Sequence, residues 1–302
     1  MRASGLRRCA RVVGGVLLAG ALSGCRPPPH PPTPCSLRAP GGDEAAAATQ
    51  RIPAAVWLDL LVPDNRDASD PLAAMHTCTG AALTVDSLGR DARVMPAGDA
   101  PALRITAVDD ARALLWAPLR DYDDGDALGP VALLRRHAPE DGGAHLELLA
   151  LGALRAPSRA SLRLERLADG AEVVVAEGER CAGEERCVRE IQLLPRAGER
   201  LIDAPLRSVA EDGPARLAVA LAAGLGDSGG VRTAALERTL RGGPDGLMIV
   251  EVLRVQRCAG SEGEGCADEA TLRRERPLSF DGERLHAPPS LWPPPGWEGG
   301  EA

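Results

Sequence analysis

Ser228 stands in a glycine-rich segment whose residue types could form a nucleophile. The string Gly226-Asp227-Ser228-Gly229-Gly230 places a hydroxyl in a tight turn, where backbone N–H groups can also stabilise an oxyanion. Such a serine needs a histidine as general base and an aspartate that orients the histidine. His76 and Asp110 precede Ser228 in the chain and offer those two groups. The sequence therefore contains one candidate set for acyl-transfer chemistry.

This set resembles the catalytic residues of trypsin-like serine proteases, both in the order His, Asp, Ser and in the glycine-rich string. The segment Ala-Ala-Met-His76-Thr-Cys is similar to that family's Ala-Ala-His-Cys, and Asp110 would be the orienting aspartate. The chain also departs from the family: Val231 replaces a proline, and His76 is displaced by one residue. Asp-Ser-Gly-Gly is good turn chemistry by itself. We interpret the segment as a turn, with a degenerate protease as the alternative function.

The first 25 residues combine a basic start, an apolar stretch and a cysteine. Residues 1–11 contain four arginines and no acidic residue, and residues 12–22 are apolar. A positive segment ahead of an apolar stretch of this length is typical of an export signal, and the stretch is too short to span a bilayer. It ends in Leu22-Ser23-Gly24-Cys25, which resembles the lipobox of bacterial lipoproteins.

That resemblance implies that residues 1–24 are a signal peptide and that Cys25 becomes the lipid-bearing first residue of the mature chain. The membrane is then a partner through the lipid anchor. Residues 25–50 are rich in proline and alanine, which predicts an extended tether. Residue 26 is Arg, whereas Asp at this position retains lipoproteins in the inner membrane of two-membrane bacteria. The resemblance therefore implies an outer-membrane location, on either the periplasmic or the surface face.

Six cysteines remain beyond Cys9 and Cys25, an even number that predicts disulfides in an exported protein. Six cysteines allow fifteen connectivities. The short spacings between strand-like runs favour Cys181 with Cys187 and Cys258 with Cys266, which leaves Cys35 with Cys78. Zinc is the competing interpretation, but neither short pair has C-x-x-C spacing or a histidine nearby.

Short runs of alternating apolar and polar residues, separated by turn signals, dominate the body. They are residues 54–62, 103–108, 145–154, 161–167, 172–176, 188–194 and 247–255. This pattern predicts a mainly β fold, an antiparallel sandwich or barrel with little helix. Residues 212–224 carry helix start and stop signals as well, so a helix and a strand both stay open there.

A weak internal repeat suggests two related β units that each end in a disulfide-closed hairpin. Glu-Arg-Cys-Ala-Gly at residues 179–183 matches Gln-Arg-Cys-Ala-Gly at residues 256–260. The units would span residues 128–204 and 205–286. Residues 51–127 would be the N-terminal part of the body, and residues 287–302 an extended or loosely packed proline-rich tail.

Two further groups of titratable residues, an acidic run and a pair of histidines, could bind a metal ion, but neither has the spacing of a metal site, and we expect no cofactor. Asp121, Asp123, Asp124 and Asp126 could bind calcium, but they lack the frame of a calcium loop and favour a solvated acidic loop. His137 and His145 flank one turn and make no metal spacing with an acid, so we expect no metal.

The chain has 43 acidic and 35 basic residues, and this acidic balance argues against nucleic acid as a partner. The sequence thus predicts an anchored lipoprotein of the cell envelope. Its expected role is non-catalytic, either binding an unidentified protein or envelope ligand or supporting envelope structure.

Overall fold

The computed structural model describes residues 36–38, 54–61, 75–80, 83, 93–94, 103–137, 145–181, 187–208, 211–227, 230–258 and 265–294. All of them belong to one unit, Pro31–Ala302. The described residues form one helix, α1 (Ala54–Leu61), and twenty strands. The strands are β1 (Ser36–Arg38), β2 (Arg93–Val94), β3 (Arg104–Ala107), β4 (Arg112–Trp116), β5 (Arg120–Asp121), β6 (Asp126–His137), β7 (His145–Pro157), β8 (Ser161–Arg166), β9 (Glu172–Cys181), β10 (Cys187–Ala197), β11 (Arg200–Leu201), β12 (Pro205–Ser208), β13 (Glu211–Pro214), β14 (Arg216–Ala218), β15 (Ala220–Asp227), β16 (Gly230–Arg241), β17 (Met248–Cys258), β18 (Ala267–Pro277), β19 (Ser279–Phe280) and β20 (Leu285–His286).

The largest sheet is barrel-like and nearly closed, as the alternating pattern predicted. Its main path runs β2-β5-β6-β7-β11-β10-β9-β8, while β4 also pairs with β6, β3 with β4, β1 with β7, and β14 with β10. Almost all of these pairs are antiparallel; β11 joins β7 in parallel. The prediction of a mainly β, antiparallel fold is confirmed.

Side-chain alternation along the strands builds two cores on opposite faces of this sheet. Leu114 and Trp116 pack with residues of β6 to β11 in the interior core. Leu115 and Ala117 face the opposite side of the sheet and belong to a second core, which also contains the buried residues of α1 and which we call the outer core. Successive side chains of a strand point to opposite faces, so a run of four apolar residues can serve both cores. This double burial explains why the central strands are apolar at nearly every position.

The run at residues 54–62, expected to be a strand, forms helix α1 instead. Trp57, Leu60 and Leu61 are its fully or nearly fully buried side chains. Their i, i+3, i+4 spacing places them on one helical face, which packs on the outer core against Leu115 and Leu148. The strand prediction was wrong because a run of eight mostly apolar residues is compatible with the 3.6-residue period of a helix as well as with the two-residue period of a strand.

Residues 212–224, for which helix and strand both stayed open, contain no helix and belong to β13, β14 and β15, with single residues between the strands. Ala215, Leu217 and Val219 are buried, and the residues between them are partly exposed. A period of two is the strand pattern. β14 pairs with β10 through Leu217 opposite Ile191. This pairing crosses the expected boundary between residues 204 and 205, and the division into two units stays a prediction.

Two smaller sheets complete the described body. One has the strand order β13-β12-β20-β19, and the other is the meander β15-β16-β17-β18. A third core lies between the large sheet and these two, where Val173 and Leu193 pack with Leu206, Ile249 and Leu285. The smaller sheets are thus fixed to the barrel by apolar packing as well as by β14.

Gly152 allows the barrel to close between β7 and β10. At this position β11 passes over β7, and the Leu151 N–H donates a hydrogen bond of 3.0 Å to the Glu199 carbonyl. A Cβ atom on residue 152 would overlap the carbonyl oxygen of Leu201. Only glycine permits this close approach of the two backbones.

Candidate functional site

The acidic segment between β5 and β6 is a turn with two exposed and two inward-facing carboxylates. Gly125 has a φ of 85°, a conformation that favours glycine, and the Asp126 N–H donates to Asp124 Oδ1 at 3.1 Å. Asp121 and Asp123 are exposed, whereas Asp126 is 1% exposed. The expected solvated acidic loop is therefore correct for the first two carboxylates and wrong for Asp126.

Two arginines from distant strands hold the buried carboxylate of Asp126. Arg155 Nε donates to Asp126 Oδ2 at 3.0 Å, and Arg216 Nη1 donates to the same oxygen at 2.9 Å. Arg155 also reaches Asp124 Oδ2 at 3.0 Å and stacks on the Tyr122 ring at 3.9 Å. The turn is thus tied to β7 and β14 by charge-assisted hydrogen bonds and a cation–π contact.

The same network continues into β9 and β10. Arg180 Nη2 donates to Glu190 Oε1 at 2.6 Å, and this hydrogen bond is the main cause that raises the pKa of Arg180. Arg216 Nη1 lies 3.6 Å from Glu190 Oε2, and Arg216 Nε donates to Gln192 Oε1 at 3.2 Å. Gln192 in turn donates to Asp203 at 2.8 Å.

We call Asp124, Asp126, Arg155, Arg180, Glu190 and Arg216 the buried ion network, after the two carboxylates, Asp126 and Glu190, that are buried; the other four side chains are partly exposed. Its three guanidinium groups face three carboxylates, so the charges balance. Each of the three carboxylates has one oxygen hydrogen-bonded to a guanidinium group. Asp126 Oδ1, Glu190 Oε2 and Arg180 Nε are buried without a hydrogen-bond partner in the described part of the chain. The network joins five strands, and this geometry supports a structural role.

A second buried network fastens the C-terminal tail to β17. Glu251 is fully buried and accepts hydrogen bonds from Arg238 Nε at 3.0 Å, Arg276 Nη1 at 2.7 Å and Ser290 Oγ at 2.8 Å. The Leu291 N–H donates to its second oxygen at 2.8 Å. Burial by itself raises the pKa of Glu251, but the hydrogen bonds from Leu291 and Ser290 and the charge of Arg276 outweigh it, so the pKa is lowered.

The tail is therefore docked over residues 287–294, and the expected loose packing is wrong for this part. Leu291 is 8% exposed and joins the apolar core of the β15–β18 sheet, with Trp292 packed beside it. Arg276 Nε donates to the Pro288 carbonyl at 2.6 Å. Proline-rich segments offer many carbonyl acceptors and few N–H donors, which suits them to arginine partners. Residues 295–302 lie outside the described residues.

The three residues of the protease alternative occupy different settings. Ser228 lies outside the described residues, and its neighbours Asp227 and Gly230 pair with each other where β15 meets β16. His76 is 8% exposed. Asp110 is exposed in the turn between β3 and β4, where its carbonyl accepts a hydrogen bond of 2.7 Å from Arg136. In a serine-protease triad the aspartate is buried against the histidine, so the exposure of Asp110 does not favour this role.

Two predicted cysteine pairs form disulfides that close hairpins. Cys181 and Cys187 join β9 to β10 with Cα atoms 4.0 Å apart, and Cys258 and Cys266 join β17 to β18 with Cα atoms 3.9 Å apart. Glu179 lies beside the first pair, but disulfide sulfurs are not thiolates and cannot form the zinc site considered as the alternative.

The remaining cysteines belong to segments that the structure describes only in part. Cys78 is disulfide-bonded, and its Sγ lies 3.8 Å from the Leu148 carbonyl. Its expected partner Cys35 lies outside the described residues, as do Cys9 and the expected lipidation site Cys25. The pairing of Cys35 with Cys78 stays a prediction.

His137 and His145, for which the sequence predicted no metal site, are directly opposite each other in the register of β6 and β7. Glu147 lies on the same face of the hairpin, and its Oε2 is 2.6 Å from His137 Nε2. The sequence signal that could have found this group is His-x-Glu at residues 145–147, because residues i and i+2 of a strand share a face.

Comparisons with protein-family models, curated proteins and solved structures find no match to this chain. Among the described residues, no helix has the length and apolar character needed to cross a membrane.

Proposed function

We propose that this chain is a lipid-anchored lipoprotein of the bacterial cell envelope with a non-catalytic binding or structural role. The observation that carries the proposal is the lipobox-like segment Leu22-Ser23-Gly24-Cys25, which follows a basic and then an apolar stretch. Several acyl chains would anchor the protein firmly, whereas a single chain binds a membrane only marginally.

The disulfides support export to an oxidising compartment. Cys181–Cys187 and Cys258–Cys266 each close a β-hairpin of the body. Disulfides persist in secreted and periplasmic proteins and are rare in the reducing cytosol. A lipoprotein signal and structural disulfides are thus consistent with each other.

The proline-rich segment supports a tether between lipid and body. Residues 26–34 contain six prolines, a density that favours extended polyproline II. At about 3.1 Å per residue, such a segment spans roughly 25 Å. The folded body would then stand clear of the lipid headgroups, where it can meet a partner, and Arg26 favours the outer membrane as the site of anchoring.

The polar groups of the described body support a role without catalysis. The carboxylates of Asp126 and Glu251 are each held by two guanidinium groups. Their partners come from separate strands or hold the tail, and this arrangement stabilises the fold instead of presenting a reactive group to a substrate.

Metabolic labelling tests the anchor. The full chain is produced in a two-membrane bacterium that is fed an alkyne analogue of palmitate, alongside Cys25→Ser and the matched control Cys9→Ser. We expect label in the wild-type chain and in Cys9→Ser, and none in Cys25→Ser. Equal labelling of all three, or of none, would contradict lipidation at Cys25.

A degenerate trypsin-like protease is the second candidate, supported by the Gly-Asp-Ser-Gly-Gly string around Ser228. A serine-reactive fluorophosphonate probe distinguishes the two functions. On the non-catalytic proposal, the processed protein is not labelled. Labelling that is lost in Ser228→Ala and kept in Ser161→Ala, a control on exposed strand residue Ser161, would establish the hydrolase instead.

A further inference from the structure

Strand β15 lies at one edge of the β15–β18 sheet, and its outer side has no strand partner in the part of the chain that the structure describes. β15 pairs only with β16, in a continuous register from Ala220 opposite Glu237 to Asp227 opposite Gly230. In an edge strand the outward-pointing backbone N–H and C=O groups can pair with another extended chain. At about 3.4 Å per residue, β15 offers such an edge over about 27 Å.

The other edge strands of at least four residues in the described sheets carry charged side chains. Proteins protect exposed edges with charge, proline or shortness, because an open edge pairs with other chains. β15 has no charged residue and no proline before its last residue, Asp227. By contrast, β18 at the opposite edge of the same sheet carries five exposed charged residues, which are Asp268, Glu269, Arg273, Arg274 and Glu275.

Gly224 indicates that another backbone approaches β15. Glycine inside a strand weakens it and often marks a bulge or the close approach of another backbone. The pairing of β15 with β16 has no bulge at this residue. A Cβ atom on residue 224 would meet only the Val231 side chain, at an ordinary contact distance of 3.9 Å. The described body therefore does not require glycine here, whereas a chain that pairs with the outer side of β15 would.

We propose that β15 pairs antiparallel with β15 of a second copy of this chain, so that two four-stranded sheets become one eight-stranded sheet. A two-fold axis perpendicular to the sheet would place Ala222 opposite its own counterpart and Ala220 opposite the partner's Gly224. A strand that pairs with itself opposes like charges wherever it is charged, and residues 220–226 carry none. The inference does not depend on the lipid anchor.

Self-pairing would also continue an apolar core of the body. Leu221 and Ala223 are half-buried at the rim of the core that Leu236 and Leu291 share. In the same register, Leu221 would lie opposite the partner's Ala223, so both rim residues would be covered from the side. One strand pair buries less area than the about 1,200–2,000 Å² of a stable interface, and we therefore expect a reversible dimer.

The test measures the oligomeric state of the processed full-length protein in detergent, by sedimentation at increasing protein concentration. We expect a reversible wild-type dimer. Ala222 is exposed, so Ala222→Lys and Ala222→Glu should leave the fold intact and oppose like charges across the two-fold axis. Each change should raise the dimer dissociation constant by about tenfold or more. An equimolar mixture of the two variants should dimerise again, because lysine then faces glutamate.

Thr271→Lys is the matched control. Thr271 is exposed on β18, and the strand registers place it on the same face as Ala222, in the row that runs through Ala235 and Arg254 to the opposite edge of the sheet. This variant should dimerise like the wild type. Circular dichroism of each variant establishes that the fold is intact.

Three results would overturn the proposal. A wild-type protein that stays monomeric at every concentration would exclude a second copy and leave a strand of another protein as the occupant of this edge. Dimerisation of Ala222→Lys with wild-type affinity would place the interface elsewhere on the body. A mixture of the lysine and glutamate variants that stays monomeric would exclude two-fold pairing at Ala222.

Discussion

Glu251 and Arg276 form an ion pair of 2.7 Å in which neither side chain is exposed to solvent. Glu251 lies on β17 and Arg276 on the neighbouring strand β18, and the same carboxylate binds the tail through Ser290 and Leu291. A buried charge is tolerated only when it is paired and hydrogen-bonded. The ion pair therefore makes the tail a part of the fold.

Glu251→Gln should destabilise the body strongly. The change removes the negative charge that faces the buried guanidinium groups of Arg238 and Arg276, and breaking a buried pair typically costs about 3–5 kcal/mol. Urea unfolding followed by circular dichroism measures the loss. Glu275→Gln, at an exposed position two strand residues from Arg273, is the control and should change stability by less than about 0.5 kcal/mol. Equal losses in the free energy of unfolding for the two variants would show that the buried ion pair stabilises the fold no more than the exposed one.

The same carboxyl predicts a dependence of stability on pH. Its pKa is lower in the folded protein than in the unfolded chain. Its stabilising contribution is thus complete above the unfolded-state pKa of about 4.3 and is lost as the pH falls through the folded-state value. The stability difference between wild type and Glu251→Gln should shrink as the pH is lowered from 7 to 3. A difference that stays constant over this range would be inconsistent with a depressed pKa.

Asp126→Asn tests the buried ion network. The substitution keeps the shape of the side chain but removes the charge that faces Arg155 and Arg216, and we expect a loss of about 3 kcal/mol in the free energy of unfolding. Asp123→Asn, in the exposed part of the same turn, should be nearly neutral. If Ca²⁺ raised the stability of the wild type and Asp123→Asn abolished that effect, the acidic turn would be a calcium site instead of a structural element.

The hairpin disulfides should each contribute a modest stabilisation. Closing a loop of about seven to nine residues restricts the unfolded chain and is worth about 2–3 kcal/mol. The paired changes Cys181→Ser with Cys187→Ser, and Cys258→Ser with Cys266→Ser, should each lower the unfolding free energy by this amount. Peptide mapping without reductant should recover both links, and a cross-link between Cys181 and Cys258 would contradict the pairing.

Sequence patterns predicted the parts of this fold that depend on neighbours in the chain. The alternation of apolar and polar residues identified β3, β7 to β10 and β17. This was possible because the burial of a strand determines which of its own residues are apolar. The cysteine spacings predicted two hairpin disulfides, since each pair lies within one hairpin. Helix α1 was missed because its short apolar run fits a strand as well.

The buried ion network could not be predicted because its members are far apart in the sequence. Asp126 stands in a run of acidic residues that suggests solvent exposure, while its partner Arg216 lies 90 residues away. The docked tail was missed for the same reason, since Ser290 meets Glu251 across 39 residues. Similarly, the opposition of His137 and His145 requires the register of β6 and β7, which the turn sequence does not specify.

The most direct test of the proposed function is the mass of the N-terminal peptide of the protein purified from membranes. We expect this peptide to begin at Cys25, with no residue before Cys25 present, and we expect the cysteine to carry a thioether-linked diacylglyceryl group. A chain that retains residues 1–24, or one that begins at Cys25 with an unmodified thiol, would contradict the proposed lipid anchor.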